Sequence, residues 1–442
     1  SSKEEKWNIT ITFVNYDASQ NANAGKSMSA KVMIQKEVVP QVISDVCSNG
    51  ENLATCITTL SNKSTSSLTN IYYHNGTITT DDGTVIDAND NSYRYAGGDY
   101  VLTEKATTAG MKSLTSSTDT ETNGITNFYC DGERQYLYDS SCDTYYFTLQ
   151  YDTTNTQYKA YNEALEKAVS DGYLTKDNIK NFVCFGTNVN PCPEENLYRI
   201  IGVFDNKVKL MKYTYNTKEQ LGEDGDFSET TTLADYGVET TYRGSSTTLD
   251  LYYWNNSTEK NTWSESLLNK TNLNTNFINN IGSTWANKIA TTTWKVGGNT
   301  YANIRDVVPS VAYQNEVVNP APGSTSTTGE TKYNAKVGLM YASDYGFAAS
   351  PSAWTTTLIS YDGYDDNNVA IKDTNWMFVG MDEWLISRNA STSNDAFIVN
   401  SDGFVNYDGV HLNYGVRASF SLESSISYVS GSGTAADPIL VN

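Results

Sequence analysis

Six cysteines falling as three close neighbours, Cys47 with Cys56, Cys130 with Cys142 and Cys184 with Cys192, set the first constraint on how this chain can fold. Of the many connectivities six thiols allow, nearest-neighbour pairing is the simplest. As disulfides they close short loops in DVCSNGENLATC, FYCDGERQYLYDSSC and FVCFGTNVNPC, each rich in turn formers. A loop of about ten residues gains roughly 2–3 kcal/mol by restricting the unfolded chain. Paired cysteines of this kind imply an oxidising compartment. A zinc site is the poorer reading, because it wants CxxC-type spacing and histidine partners, and the chain has only His74 and His411. Free or differently paired thiols are the other alternative.

Composition points the same way. The formal net charge is −21, from 30 basic and 51 acidic residues, which excludes a nucleic-acid clamp or a polybasic membrane binder, since both need a positive field facing phosphate. Hydrophobic residues make up 38%, enough over this length to bury one or two sizeable cores. The 32 tyrosines, amid abundant Thr, Ser and Asn, describe a β-rich, hydroxyl-coated, extracellular surface. No apolar run reaches membrane-spanning length, and the opening SSKEEKWNITITFV lacks a signal-peptide core. The expectation is a mature or trimmed ectodomain that meets a membrane only through an anchor outside this chain.

Along the chain, WNITITFV (7–14) alternates with the two-residue period of a strand, and SAKVMIQKEVV (29–39) continues as strand or short helix. From 70 to 100, NG and DG turn signals separate short β-prone runs and predict hairpins. Residues 101–177 read as an insertion with one amphipathic helix pattern, YKAYNEALEKAVSDGYL. NLYRIIGVFDNKVKLMKYTY predicts a hairpin turning at Asp205-Asn206. TWSESLLNKTNLNTNFINNIGSTWANKIATTTW predicts two short helices, the first N-capped by Thr262 or Ser264 and the second centred on 283–290. Residues 319–332 are loop by composition. The short runs KVGLMYAS, NWMFVG, EWLISRN, AFIVN, GFVNY and YGVRASFSL predict strands. The division is therefore 1–100, a β-rich N-terminal segment; 101–177, an inserted disulfide-bearing subdomain with one helix; and 178–442, the main domain.

The pieces NLYRIIGVFDNKVKLMKY, LYYWNNSTEKNTWSESLLNKTNLNTNFINN, WANKIATTTWKVGG, VGLMYASDYGFAASP, NWMFVGMDEWLISRN, GVRASFSL and SGSGTAADPI resemble a large family of surface proteins of gut Firmicutes and related bacteria. That family is similar to the C-type-lectin-like fold shared with formylglycine-generating enzymes and with the variable proteins of diversity-generating retroelements. The resemblance covers Asp177 to Asn442, with the upstream IYYHNG and NSYRYAGGDY, and implies an α+β, β-rich, C-type-lectin-like C-terminal domain. Many members follow a pilin-like or transmembrane N-terminal anchor. The insertion at 101–177 departs from the commoner pattern, in which NSYRYAGG runs almost directly into the equivalent of NFVCFG.

Motifs of catalysis are missing: there is no GxSxG, HExxH, Walker A or Rossmann glycine fingerprint. His74 in YYHNG and His411 in DGVHLNYG both read as turn residues. Asp382 and Glu383 could suggest a glycosidase pair, but strand neighbours point to opposite faces. Formylglycine-generating relatives use a reactive cysteine pair, and Cys184 and Cys192 lie in the wrong part of the domain for it. The chain is expected not to be an enzyme and to need no cofactor. Calcium is a fringe alternative, through Asp362, Asp365, Asp366, Asn367 and Asn368 or through Asp81, Asp82, Asp87 and Asp90, which offer hard oxygen ligands without EF-hand spacing.

The stretch 384–417 is the most informative. Trp384, Ile386, Phe397, Val399, Phe404, Val405 and Val416 form an apolar scaffold, with Arg417 in a structural role against a buried carboxylate or backbone carbonyls. Asn389, Ser391, Asn394, Asp395, Asn400, Asp402, Asn406, Tyr407, Asp408, His411, Asn413 and Tyr414 decorate it. They read either as ordinary turn residues or as a ligand-binding display surface, since Tyr with Asn, Ser and Asp is the mixture of evolved paratopes. In the retroelement-variable relatives the corresponding hairpins carry the ligand-binding positions. The resulting expectation is an extracellular, cell-surface adhesin that binds a host or microbial protein or glycan and no nucleic acid. The alternative is a filament or pilus subunit that meets copies of itself by strand addition through WNITITFV or ISYVSGSGTAADPILVN.

Overall fold

A computed structural model describes residues 40–442 except 75–76, 80–84, 88–90, 98–100, 238–241, 322–328, 364–370 and, between 103 and 178, all but a few short strands. In chain order the elements used below are helix α1 (Leu53–Lys63), β1 (Ile71–His74), β2 (Ser92–Tyr95), β3 (Phe182–Cys184), β4 (Leu197–Phe204), β5 (Lys207–Lys212), β6 (Phe227–Thr232), β7 (Thr248–Tyr253), β8 (Gly298–Asn299), β9 (Val337–Gly338) and helix α2 (Ala342–Phe347). They continue with β10 (Glu383–Asn389), β11 (Asp395–Val399), β12 (Val405–Gly409), β13 (Asn413–Tyr414), β14 (Ser419–Ser421), β15 (Tyr428–Ser430) and β16 (Leu440–Val441). The architecture is mixed α+β, with more strand than helix and several separate sheets.

The hairpin expected at Asp205-Asn206 forms, and the larger sheet is built on it. Asp205 (φ 48°) and Asn206 (φ 60°) both adopt left-handed backbone, the conformation a two-residue turn needs to match strand twist and one that Asp and Asn tolerate. A seven-stranded antiparallel sheet runs β1-β2-β4-β5-β14-β9, with β3 also paired to β4. Both β2 and β3 lie along the same edge of β4, β3 at 197–199 and β2 at 202–203. A Cβ at Gly202 would sit 2.3 Å from the Tyr93 carbonyl oxygen, so the approach of β2 requires glycine there. Strands β1 and β2 thus bring residues of the segment before 100 into a sheet whose other members come from beyond 178. Val101–Leu102 pairs antiparallel with Leu174–Thr175, placing the two ends of the segment 101–177 side by side.

Helix α1 packs across β1, β2, β4 and β5. Its apolar positions Leu53, Ile57 and Leu60 recur at helical spacing and are buried with Cys56, and Asn52 caps it by accepting the Thr55 amide at 3.0 Å. The sequence reading assigned no helix here, because the cysteine loop drew the segment as a turn. The Cys47–Cys56 and Cys184–Cys192 bridges are both formed, with Cα–Cα separations of 5.4 and 5.9 Å. Cys142, and with it the Cys130–Cys142 pairing, lies outside the described residues, as do WNITITFV, SAKVMIQKEVV and the YKAYNEALEKAVSDG helix.

Two smaller sheets, β6-β7-β13 and β8-β10-β11-β12 with β8 parallel to β10, stand beside the seven-stranded one, and two-stranded pairs include β15 with β16 and Thr292–Lys295 with Lys332–Ala335. Reciprocal indole bonds tie the two smaller sheets together. Trp254 Nε1 donates to the Leu385 carbonyl at 3.0 Å, and Trp384 Nε1 donates to the Tyr252 carbonyl at 2.8 Å. Both rings are fully buried.

Arg417 has the structural role expected of it. Its Nε and Nη2 donate to the two oxygens of Glu383 at 2.8 and 2.6 Å, and Nη2 also reaches the Met377 carbonyl at 2.5 Å. A second buried ion cluster joins Arg94 of β2 and Lys209 of β5 to Asp344 of α2, at 3.1 and 2.5 Å.

Several local expectations are corrected. NWMFVG is buried but irregular rather than a strand, and YASDYGF is helix α2. Asp344 accepts the Tyr341 amide at 3.1 Å and so favours the helical turn over extension. The first helix of the 262–294 segment is a π-helix over Leu268–Phe277. Its N-terminal amides are taken by Ser266 Oγ (3.2 Å) and Asp226 Oδ2 (2.8 Å), not by Thr262 or Ser264. The second is shorter than expected, Ser283–Ala286. His74 is not a turn residue but a buried one, packed on Phe347 and Trp354.

Arg417→Met is expected to cost about 3–5 kcal/mol, because Glu383 is then buried without its counter-ion. The double change Arg417→Met with Glu383→Met should cost less than the single one, and urea unfolding of the three variants checks it.

Candidate functional site

Strands β11 and β12 pair in register from Asp395↔Gly409 to Val399↔Val405. Successive side chains of such a hairpin point to opposite faces, so the residues singled out between 389 and 414 do not share one surface. Asn389 ends β10 at 1% exposure; its Oδ1 accepts the Ser391 amide and its carbonyl accepts Asn261 Nδ2. Asn400 holds the next turn, accepting the amides of Asp402 and Phe404. Asp395 is half-buried and accepts the Thr392 hydroxyl at 2.8 Å. Ser391, Asn394, Asp402 and His411 are exposed at the hairpin ends.

Tyr407 lies on one face, opposite Phe397. Its ring stacks on that of Tyr301, with centroids 5.9 Å apart and an interplanar angle of 20°. Tyr301 is 40% exposed. The Arg305 guanidinium sits over both rings, 5.0 Å from Tyr301 and 5.8 Å from Tyr407. Pairing of β8 with the end of β10 brings Tyr301, two residues beyond β8, to this place. The result is an aromatic platform with a cation attached.

The other face is a hydrogen-bonded network of acids and tyrosines. Asp408 accepts the Tyr414 hydroxyl at 2.7 Å, Asp382 accepts the Tyr236 hydroxyl at 3.2 Å, and Asn413 Nδ2 donates to Glu229 at 2.9 Å. Asn406, half-buried, alternates with Tyr407 onto this side of the pleat. Burial pushes the Asp382 carboxyl above its usual range, and the charges of Asp408 and Asp402 add to it. Burial, then the charge and hydrogen bond of Asp382, push the Tyr236 phenol up, so it stays a hydrogen-bond donor. Asp382 and Glu383 are separated as expected, the first in this network and the second under Arg417.

Of the calcium candidates, only Asp362 has a described side chain, and it is exposed. Among the described residues, the one cluster of metal-type donors is Cys47, Glu51 and Cys56, and its two sulfurs are bonded to each other. No described helix is long and apolar enough to cross a membrane. No family model, curated protein or solved structure matches the chain.

Lys212, at the end of β5, is a residue that sequence reasoning passed over. Its side chain is 1% exposed, and its Nζ makes one hydrogen bond, to Thr214 Oγ1 at 3.2 Å, with no ion pair among the described residues. In KVKLMK it reads as an ordinary exposed strand end. Its Nζ lies 5.8 Å from the Tyr198 ring centroid, and it shares a cavity wall with residues of 194–195, 214–219, β6, β7 and 242–246. Burial pushes its ammonium down to about 7, against the opposing pull of Glu194 and Glu195.

The unfolded chain keeps this proton up to the ordinary lysine value near 10.5. Lys212 therefore costs stability in full below about pH 7, and the cost fades as pH rises toward that value. Lys212→Met is expected to stabilise the fold by on the order of 2 kcal/mol at pH 6, with the gain shrinking toward pH 10. Thermal unfolding of both proteins across that range measures it.

Proposed function

We propose that the chain is an extracellular bacterial surface protein, an adhesin with a C-type-lectin-like C-terminal domain, and that it binds a protein or glycan ligand noncovalently. The observation that carries this reading is the platform of Tyr301, Tyr407 and Arg305 beside the β11–β12 hairpin. Tyrosine binds at low entropic cost, and tyrosine and arginine are enriched among the residues that dominate the energetics of recognition surfaces. The exposed Tyr301, backed by the half-buried Tyr407, also offers a flat face to sugar C–H groups or to apolar side chains. The two bridged cysteine loops support an oxidising location. Pairing of β15 with β16, and the bridge of Ile439 to Val183, occupy the C-terminal strand within its own chain. This favours adhesion over a filament assembled through that strand.

The test is binding of the labelled chain to arrays of immobilised glycans and extracellular-matrix proteins. Tyr407→Ala and Tyr301→Ala are each expected to weaken the strongest signal at least tenfold, about 1.4 kcal/mol or more, with unfolding midpoints close to the parent's. Unchanged binding by both variants overturns the assignment to this platform.

A further inference from the structure

We infer that the cavity above Lys212 is a second, independent binding site, and that its occupant is a single neutral sugar ring. The cavity has a volume of about 280 Å³ and is lined by residues of β5, β6, β7, the 194–195 turn, the 214–219 stretch that follows β5 and the 242–246 loop. That volume is close to the lower end of ligand clefts, about 300–1,000 Å³, which limits the occupant to one ring.

Three features of the wall select the chemistry. Lys212 has three N–H donors and one protein acceptor, Thr214; a buried amine in that state needs oxygen atoms supplied from elsewhere. Glu194 and Glu195 line the same cavity; one Glu194 oxygen accepts the Ser245 amide at 2.8 Å, and Glu195 is exposed. Tyr215 and Tyr242 stand nearly parallel in the wall, with centroids 5.9 Å apart and an interplanar angle of 17°, and the half-buried Tyr242 gives the cavity a flat apolar side.

An anion would satisfy Lys212 and Lys218 but meet Glu194, Glu195, Glu219 and Asp250, which line the same cavity, within a chain of net charge −21. A cation would suit the glutamates and leave Lys212 worse off. A ring of vicinal hydroxyls satisfies both, because each hydroxyl accepts from the ammonium and donates to a carboxylate. Its C–H face packs on Tyr242. Because Lys212→Met is expected to stabilise the fold, a lysine in this wall fits the pattern of a site retained for function at the expense of stability.

The experiment titrates the full chain with methyl hexosides of the gluco, galacto and manno configurations, with glucuronate and with glucosamine, read by saturation-transfer NMR and calorimetry. At least one neutral hexoside is expected to bind more tightly than either charged sugar. Lys212→Met is expected to weaken it at least tenfold with an unfolding midpoint no lower than the parent's. Glu194→Gln, at the partly exposed rim, should weaken it several-fold and guards against misfolding of the first variant. Tyr407→Ala should leave it unchanged, which separates this site from the platform. No binding of any neutral hexoside, preference for glucuronate or glucosamine, or binding that survives both Lys212→Met and Glu194→Gln overturns the proposal.

Discussion

The buried pair of Arg417 and Glu383 is the interaction on which the arrangement of sheets depends. Glu383 begins β10, and Arg417 lies between β13 and β14, so one bidentate contact joins the small sheet that carries the hairpins to the strand that completes the large sheet. The same guanidinium reaches the carbonyls of Met377 and Tyr213. It therefore satisfies an irregular segment and the exit of β5 as well. Burial alone drives the Glu383 carboxyl up, and Arg417 opposes it. A planar fork of donors suits this duty where a lysine could not, because several acceptors at fixed angles must be met at once.

The two candidate binding surfaces hang on opposite consequences of that frame. The platform of Tyr301, Tyr407 and Arg305 exists because the parallel β8–β10 pairing places a short helix against the outer hairpin. The Lys212 cavity lies where the chain leaves β5, and residues 214–219 share its wall with β6, β7 and 242–246. Arg94, Lys209 and Asp344 also line a cavity, but there the charges answer one another. Lys212 differs in having no such answer within the described residues, and that makes it the more informative group.

Much of the local structure was legible in the sequence. Asp205-Asn206 forecast its hairpin because only a few residue types accept consecutive left-handed conformations. The short apolar runs AFIVN and GFVNY forecast β11 and β12, and the apolar scaffold from Trp384 to Val416 lies in the core except for the half-buried Phe404. The errors fall where tertiary contacts overrule local preference. NWMFVG is apolar enough for a strand, yet Trp376 donates to the Tyr95 carbonyl and Asn375 to the Tyr345 carbonyl, contacts that hold it in an irregular path. The helix LATCITTLSNK is rich in Thr, Ser, Asn and Cys, weak helix formers, and it is the burial of Leu53, Ile57 and Leu60 against the sheet that selects it.

The polar residues of 389–414 show the limit most clearly. By itself the sequence determined which positions are apolar scaffold and which are turns, because strand periodicity and left-handed turn preferences act over a few residues. It also brought each bridged cysteine pair close along the chain. Only the tertiary structure decided that Asn389 is buried, that Tyr407 stacks on Tyr301 while Asp408 accepts the Tyr414 hydroxyl, and that Lys212 is buried in a wall shared with distant strands. Those outcomes depend on contacts between residues far apart in the chain, such as Tyr301 with Tyr407, and the local pattern around each residue carries no information about its distant partner.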